Sequence, residues 1–401
     1  MSNPGLIIRV AAKGEGQTAD GRYVTLAAPG DVLEPDGTLT PGPDHAAPSC
    51  RHFPACGGCQ LQHLSDSALA AYVAGRVEGA ARGQGLDPGD ISPPHLSPPH
   101  TRRRATLHAQ AIGKRIVLGF REQGSHKIVD LKECPVLADD LAALIGPLRR
   151  LLETRVNRSL SVDIALTLAD QGPTADLVGL KMEGLAQTEA LLDFARDNGV
   201  ARLTLDQGDG PETVWEPDPV TVTLGGVPVG LPPGAFLQAT GDGEEALISA
   251  AREWLAGAPT VADLFSGLGT FAFALAGPGT RVLAVEAARD AHLACQAAAR
   301  MHGRPVHAVH RDLFRNPLQK AELDRFAAVL LDPPRAGARE QVLHLAQSVV
   351  PRVVYISCNP ASWAKDAMTL IEAGYRLAGL VPVGQFRWST HVELASLFVR
   401  P

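Results

Sequence analysis

From Thr260 onwards the chain repeats one pattern: a short apolar run, a turn, then a helical stretch. The runs are Val261-Ala-Asp-Leu-Phe265, Arg281-Val-Leu-Ala-Val285, Val306 to His310, Ala327-Ala-Val-Leu-Leu331 and Arg352-Val-Val-Tyr-Ile-Ser357. They are apolar and rich in β-branched residues, so they read as buried strands. Strands alternating with helices call for a parallel, doubly wound sheet, an α/β fold. Such sheets bind ligands just outside the carboxyl ends of their strands. The residues at those ends are therefore the first candidates for chemistry.

The first strand runs into Gly267-Leu-Gly269-Thr-Phe-Ala272, a G-x-G-x-x-A turn into a helix. Glu286 ends the second strand at about the 20-residue spacing of dinucleotide sites, where a carboxylate can accept from both ribose hydroxyls. Asp312 follows the third strand and is placed to meet an adenine edge. The ribose features fit NAD and S-adenosylmethionine (SAM) alike. Asp263, at the head of the turn, favours SAM: a carboxylate repels a pyrophosphate but matches a cationic amino group. The fourth strand ends in Asp332-Pro333-Pro334-Arg335, a rigid acid suited to holding a flat nucleobase, the plainer reading being a simple turn.

Cys358 closes the fifth strand, in Ser357-Cys358-Asn359-Pro360. Taken alone it reads equally well as a buried structural thiol. Pro360 cannot continue the strand, so the turn it forces tips Cys358 towards the cleft. A thiol there is a nucleophile if its thiolate is favoured. Glu393, in His391-Val392-Glu393, follows near the next strand end and can serve as a base.

The upstream chain carries a different signature. Cys50, Cys56 and Cys59 lie close together, and Cys134-Pro135 completes a four-thiol set. Soft thiolates select an iron–sulfur cluster or zinc; a bare C-x-x-C also suits a redox pair. Cys295 sits in the helical stretch 290–300 and reads as packing. Residues 5–33 form a small β unit, 34–49 and 84–100 read as linkers, and 65–83 as a helix. Between 102 and 225 the pattern is mixed α/β, with strands at 116–120 and 127–131, a helix over 138–153 and another near 186–197. The expected division is thus 1–40, 41–225 and 226–401.

The 401 residues carry a formal net charge of -6, which argues against a wholly basic nucleic-acid binder but not against local patches. Arg102-Arg103-Arg104 are candidate phosphate contacts; Arg149-Arg150 reads as solvated surface. No apolar run approaches a membrane span, and residues 1–10 do not resemble a secretion signal. A cytoplasmic monomer with no membrane partner is the expectation.

These motifs, in this order, resemble the RNA (uracil-5-)-methyltransferase family over nearly the whole chain. The matching segments are Asp263 to Phe271, Leu331 to Gly337, Tyr355 to Pro360 and His391 to Glu393. Gly119-Phe120 and Gly124 to Asp130 match its middle domain. Cys50, Cys56, Cys59 and Cys134 resemble the branch that carries a 4Fe–4S cluster, closest to its ribosomal RNA enzymes.

The resemblance implies a Rossmann-like SAM methyltransferase domain acting on carbon 5 of a uridine. It implies Cys358 as nucleophile, Glu393 as base and Asp332 as a catalytic ring contact. Gln238, in Phe236-Leu237-Gln238, would meet cofactor and base, with Asp263, Gly267, Gly269, Glu286, Asp312 and Asp332 in the cofactor site. The expected substrate is ribosomal RNA, with transfer RNA as the alternative.

Three features depart from the family. Thr240 stands where an Asn is usual. Phe386-Arg387-Trp388-Ser389 replaces Phe-Pro-x-Thr. Residues 5–33 look like half of a TRAM domain. Three other readings remain at this point: an amino-group nucleobase methyltransferase using Asp332-Pro333-Pro334, an NAD-dependent oxidoreductase, and a non-catalytic RNA-binding iron–sulfur protein.

Overall fold

The computed structural model describes residues 3–154 and 160–400. Among them, the main sheet has eight strands. Their order in space is Val306–His310, Arg281–Glu286, Thr260–Leu264, Ala328–Leu331, Arg352–Ser357, Glu393–Val399, Arg376–Gly384 and His95–Leu96. The first five run parallel, as the buried apolar runs demand. From Thr260–Leu264 the chain builds outwards in one direction, then returns to the other side at Ala328–Leu331. That reversal opens a crevice between their carboxyl ends. Glu393–Val399 then inserts antiparallel between Arg352–Ser357 and Arg376–Gly384.

This insertion positions the chemistry. Ser357 pairs with Leu394, so the end of one strand lies beside the start of the other. Cys358 and Glu393, distant in sequence, become neighbours at one edge of the crevice.

The eighth strand corrects an expectation. His95–Leu96, inside the stretch 84–100 expected as a linker, pairs parallel with Val383–Gly384. Helix Asp66–Gly83, capped by Ser65 through the Ala68 N–H, packs on the same sheet. Its Leu69, Tyr72, Val73 and Val77 share an apolar cluster with Tyr355, Trp363 and Leu370. Each such buried side chain contributes about 1.5–3 kcal/mol, enough to bind the helix firmly to the C-terminal sheet. At the other end, the expected boundary at 225/226 falls within a hairpin, Thr221–Leu224 with Val227–Gly230, and both strands pack into the C-terminal core.

The middle of the chain forms a six-stranded sheet, ordered Pro211–Trp215, Arg202–Asp206, Gly172–Val178, Ser161–Ala169, Arg104–Ile112 and Arg115–Gly119. Alternation sets its inner face: Ala105, Leu107 and Ala109 are buried and their neighbours are not. The helix expected over 138–153 is two, Asp139–Ala143 and Ile145–Glu153, meeting at Leu144. No strand forms over 127–131; Val129 and Leu131 each donate one bond to Phe120 and Leu118. Arg149, expected at the surface, lies beneath this segment. Its guanidinium pairs with Asp130 and donates to the carbonyls of Ile116 and Leu131.

The N-terminal unit is a three-stranded antiparallel sheet of Ile7–Val10, Gly16–Thr18 and Tyr23–Val24. The other stretch expected as a linker, 34–49, begins inside a hairpin of Val32–Leu33 with Leu39–Thr40. The unit rests on helix Asp66–Gly83, where Tyr72 and Arg76 donate to the Ala12 carbonyl at 3.1 and 3.0 Å. No helix among the described residues is long and apolar enough to cross a membrane.

Candidate active site

The crevice holds a cleft of about 650 Å³, within the range of small-molecule sites. At one end lies the glycine turn. Gly267 and Gly269 take φ of 54° and 94°, and Phe265 shares the left-handed region at 66°. Gly269 also has no room for a side chain: a Cβ would come within 2.8 Å of the Phe273 ring and 2.9 Å of the Cys295 sulfur. Cys295 is thus packing beneath the turn. Glu286 accepts from the N–H of Gly267 at 2.8 Å and of Ala288 at 2.6 Å. Asp312 accepts from Phe314 and Arg315 backbone N–H groups. Phe265 and Phe314, with ring centroids 5.4 Å apart, form an aromatic wall.

Gln238, Gly267, Glu286, Asp312, Asp332, Cys358 and Glu393 all line the cleft; Asp263 and Gly269 do not. Asp263 is fully buried, and its two oxygens lack hydrogen-bond partners of good geometry. Burial pushes its carboxyl up to about 7, with the Ala272 backbone opposing. Ser266, whose hydroxyl is likewise unpartnered, does face the cleft. Unsatisfied buried oxygens, two strand-end acids and an aromatic wall fit a cationic adenosine compound such as SAM.

The other end of the cleft concentrates acidity. Cys358, Glu393 and Asp332 line it together, Glu393 buried and Cys358 half-buried. Burial first, then the Glu393 and Asp332 charges, push the Cys358 thiol up to about 11, against the pull of Arg335. Burial pushes Glu393 up to about 7, opposed by Gln385, Arg104 and Arg335. Asp332 is raised well above the carboxylate range by burial and by Glu393. Gln238 Nε2 donates to Asp332 Oδ2 at 3.2 Å, Gln385 Nε2 donates to Gln238 Oε1 at 2.9 Å, and the Ala239 N–H donates to Gln385 Oε1 at 2.9 Å.

A second depression continues from this end across the middle sheet, lined by Arg102, Arg104, Arg121, Arg335, Phe236 and Phe386 among others. Arg104 lies over the Phe236 ring at 4.3 Å and Arg102 over Phe386 at 5.2 Å. Arg103, expected to touch phosphate, is turned inwards. It pairs with the buried Glu244 at 2.5 Å and donates to the Gln238 carbonyl at 3.0 Å.

The two local departures from the family pattern have physical accounts. Thr240 caps helix Gly241–Leu255 through the Gly243 N–H, and its hydroxyl meets Ser97 at 2.8 Å. The Trp388 carbonyl accepts from Gln60 and Leu61 at 2.7 and 2.8 Å, tying the loop before Glu393 to the cysteine segment. Arg387 is spent on Asp66 and the Ser97 carbonyl.

Cys50, Cys56, Cys59 and Cys134 line one cavity, together with Phe53, Phe120, Leu131 and Arg102. All are free thiols. Burial pushes Cys56 and Cys134 up and Cys59 up to about 12. Among the described residues, no three His, Cys, Asp or Glu side chains are grouped for a single metal ion. Four thiols from two segments around an apolar cavity, with a guanidinium to balance their charge, fit an iron–sulfur cluster as a donor set.

Arg335, Ser266 and Gln385 were not singled out by sequence, whereas Arg104 was, as one of the basic triplet. Arg335 and Ser266 stood inside the motifs of Asp332 and Asp263; Gln385 carried no signal.

A doubly wound sheet with a glycine turn, a strand-end acid and a cleft at the switch point fits a nucleotide cofactor, and the relatives that share it make the chain a SAM-dependent methyltransferase. The family tRNA (Uracil-5-)-methyltransferase matches residues 233–400. An RNA methyltransferase of Zymomonas mobilis is 48% identical, covering 98% of this chain and 99% of its own length. The 23S rRNA (uracil(1939)-C(5))-methyltransferase RlmD of Edwardsiella ictaluri is 35% identical, over 90% of this chain and 83% of that protein. The Pyrococcus abyssi tRNA (uracil-54, C5)-methyltransferase, solved with S-adenosyl-L-homocysteine, superposes with a TM-score of 0.77 at 23% identity, covering 98% and 99% of the two chains. The chain belongs to the RNA (uracil-5-)-methyltransferase family. That membership sets aside the amino-group, nicotinamide and non-catalytic readings.

Proposed function

We propose that this chain methylates carbon 5 of a uridine in RNA through a covalent adduct on Cys358. The observation that carries the reading is the meeting of Cys358 and Glu393 at one end of the cleft, beside Asp332 and Gln238. The cofactor end of that cleft holds SAM, whose sulfonium supplies the methyl group. Glu286 and Asp312 hold its ribose and adenine, and Gly267 keeps the turn close. Asp263 acts as a buried counter-charge at the head of the turn, and Gly269 keeps the turn's shape.

Carbon 5 of uracil is a weak nucleophile. The Cys358 thiol gives its proton to solvent, the resulting thiolate bonds to carbon 6, and the electron pair of the 5,6 double bond moves onto carbon 5. Carbon 5 then takes the methyl. Glu393 removes the remaining proton from carbon 5; the double bond re-forms and the carbon–sulfur bond breaks, returning the thiolate. Asp332 and Gln238 orient the ring and stabilise its developing charge. The target base must be unpaired or flipped to reach them. Arg102, Arg104 and Arg121 provide the cationic wall along which the RNA backbone lies.

Cys358→Ala with RNA containing 5-fluorouridine tests the nucleophile. The wild type gives a covalent complex stable to denaturation and the variant gives none; an adduct on the variant rules Cys358 out. Ribosomal RNA is the proposed substrate, in line with the 35% identical relative named for 23S rRNA. Nucleoside analysis of ribosomal and transfer RNA from cells lacking the protein decides between them.

Cys50, Cys56, Cys59 and Cys134 hold a 4Fe–4S cluster in this reading, with Arg102 as the nearest cation. Their convergence on one cavity supports it. Anaerobic reconstitution should bring about four irons and four sulfides per chain, and Cys134→Ser should lower both. Zinc bound in their place refutes the cluster.

A further inference from the structure

The buried amides at the base end of the cleft form a chain with one self-consistent direction. It begins at a group that cannot change its role. The Ala239 backbone N–H is a donor, so the Gln385 atom it meets at 2.9 Å is the carbonyl oxygen. Gln385 must then turn its NH2 to the other side, where the Gln238 atom at 2.9 Å has to be an oxygen. The Gln238 NH2 is left facing Asp332 at 3.2 Å. Both glutamines are buried, so reversing either amide would set like groups against each other out of reach of water. Gln385 is also held by packing: a Cβ on Gly243 would come within 2.7 Å of its own Cβ. Gln385 lines neither depression and does not reach a base in the cleft.

We infer that Gln385 is a positioning residue that makes the site select uracil over cytosine, by fixing which end of the Gln238 amide faces the base. The inference rests on the proposed uridine reading of the cleft. Uracil offers an N3–H donor flanked by carbonyl oxygens. Cytosine offers a bare N3 acceptor beside an amino donor. The Gln238 NH2 donates to Asp332 Oδ2, so that oxygen is an acceptor even when the carboxyl holds its proton. Its remaining lone pair accepts the uracil N3–H while the second Gln238 hydrogen meets a uracil carbonyl. Cytosine on the same pair sets donor against donor and acceptor against acceptor. A site built to hydrogen-bond one edge rejects the mismatched one strongly, because its own buried groups are left unpaired. Releasing the Gln238 amide to rotate removes that discrimination without touching the cofactor end.

Two variants test this. Gln385→Glu keeps length, packing and the acceptor for Ala239, but when ionised loses the donor to Gln238. Gln385→Met loses both. Each full-length protein is assayed with labelled SAM on RNA from cells lacking the protein, resolving 5-methyluridine from 5-methylcytidine. S-adenosylhomocysteine affinity is followed by calorimetry.

We expect the 5-methyluridine kcat/KM to fall about 10–100-fold in both variants, on the scale of one or two lost buried hydrogen bonds. The share of 5-methylcytidine rises and S-adenosylhomocysteine affinity holds. The deficit of Gln385→Glu relative to wild type shrinks as pH falls, because the protonated side chain regains a donor. If either folded variant keeps the wild-type product ratio, the inference is overturned whatever its rate, because Gln385 also bonds Glu393 and a lost rate alone comes from that bond. It is equally overturned if activity and S-adenosylhomocysteine affinity fall together in both, which marks a purely structural role. A wild type that makes no 5-methyluridine overturns the uridine reading instead, so the two failures are distinct.

Discussion

Replacing Glu393 with glutamine separates two jobs that a carboxylate beside a thiol can do. The Cys358 thiol stands at about 11 against an ordinary 9.0. At pH 8 that leaves about one thiolate in a thousand, where an unperturbed thiol of that reference value would have about one in ten. Burial is the largest cause and survives the substitution; the Glu393 charge comes next and does not. Removing it should lower the thiol from about 11 and raise the thiolate fraction at any given pH, while burial keeps it above 9.0. The amide that Glu393→Gln introduces cannot take a proton from carbon 5, however, so turnover should fall by about 10²–10⁴. The variant is expected to alkylate faster with iodoacetamide at Cys358 and to accumulate a covalent complex with unmodified RNA. Alkylation rates against pH and a denaturing gel of the RNA complex measure both. In the wild type, turnover should rise with pH through about 7 as Glu393 ionises, and the variant should lack that limb. If Glu393→Gln alkylates more slowly and forms no complex, Glu393 acts before methyl transfer, as the base for the thiol, and its role as the carbon-5 base is wrong.

Three further perturbations read other parts of the structure. Gly269→Ala must place a methyl against the Phe273 ring and the Cys295 sulfur at a φ of 94°; strain and overpacking each cost about 1–3 kcal/mol, visible in urea melts and as lost S-adenosylhomocysteine binding. Arg103→Ala strands the buried Glu244 carboxylate, a loss of about 3–5 kcal/mol; Arg103→Met with Glu244→Leu should recover most of it in the same melts. Asp263 is raised from 3.8 to about 7 by burial. The ligand-free native state therefore holds the proton more tightly than the unfolded chain. Its contribution is intact below about pH 4 and is lost as pH rises through about 7, by at most about 4 kcal/mol. Asp263→Asn should flatten stability between pH 5 and 8, and an unchanged pH slope would refute the burial argument.

The parts of this molecule that sequence made legible are those fixed by local rules. Apolar runs of β-branched residues such as Arg352–Ser357 can do little but form buried strands, and the residues following them must lie at the rim. That logic alone brings Glu286, Asp332 and Cys358 to one cleft. It is weaker where pairing decides structure. His95–Leu96 sits among prolines and is a strand only because Gly384 and Val383 present a free edge to it. Lys127 to Leu131 has a good strand pattern yet forms none, because Arg149 takes up the Leu131 and Ile116 carbonyls from below. Arg103 belongs to a basic triplet, but the triplet opens a strand whose alternation sends its members different ways.

The site shows the same division more sharply. A nucleophile and an acid carry recognisable motifs, because their chemistry tolerates few substitutes. The groups that set the direction of hydrogen bonds carry none. Gln385 is a single polar residue between Gly384 and Phe386, and its importance comes from three partners, Ala239, Gln238 and Glu393, that lie far from it or just beyond it in sequence. An amide has two ends of nearly equal size and opposite role, so only a fixed backbone donor can choose between them. The Ala239 N–H makes that choice here, and every group from Gln385 to Asp332 inherits it. Specificity for one pyrimidine edge then depends on where a backbone N–H points, a property of the assembled fold.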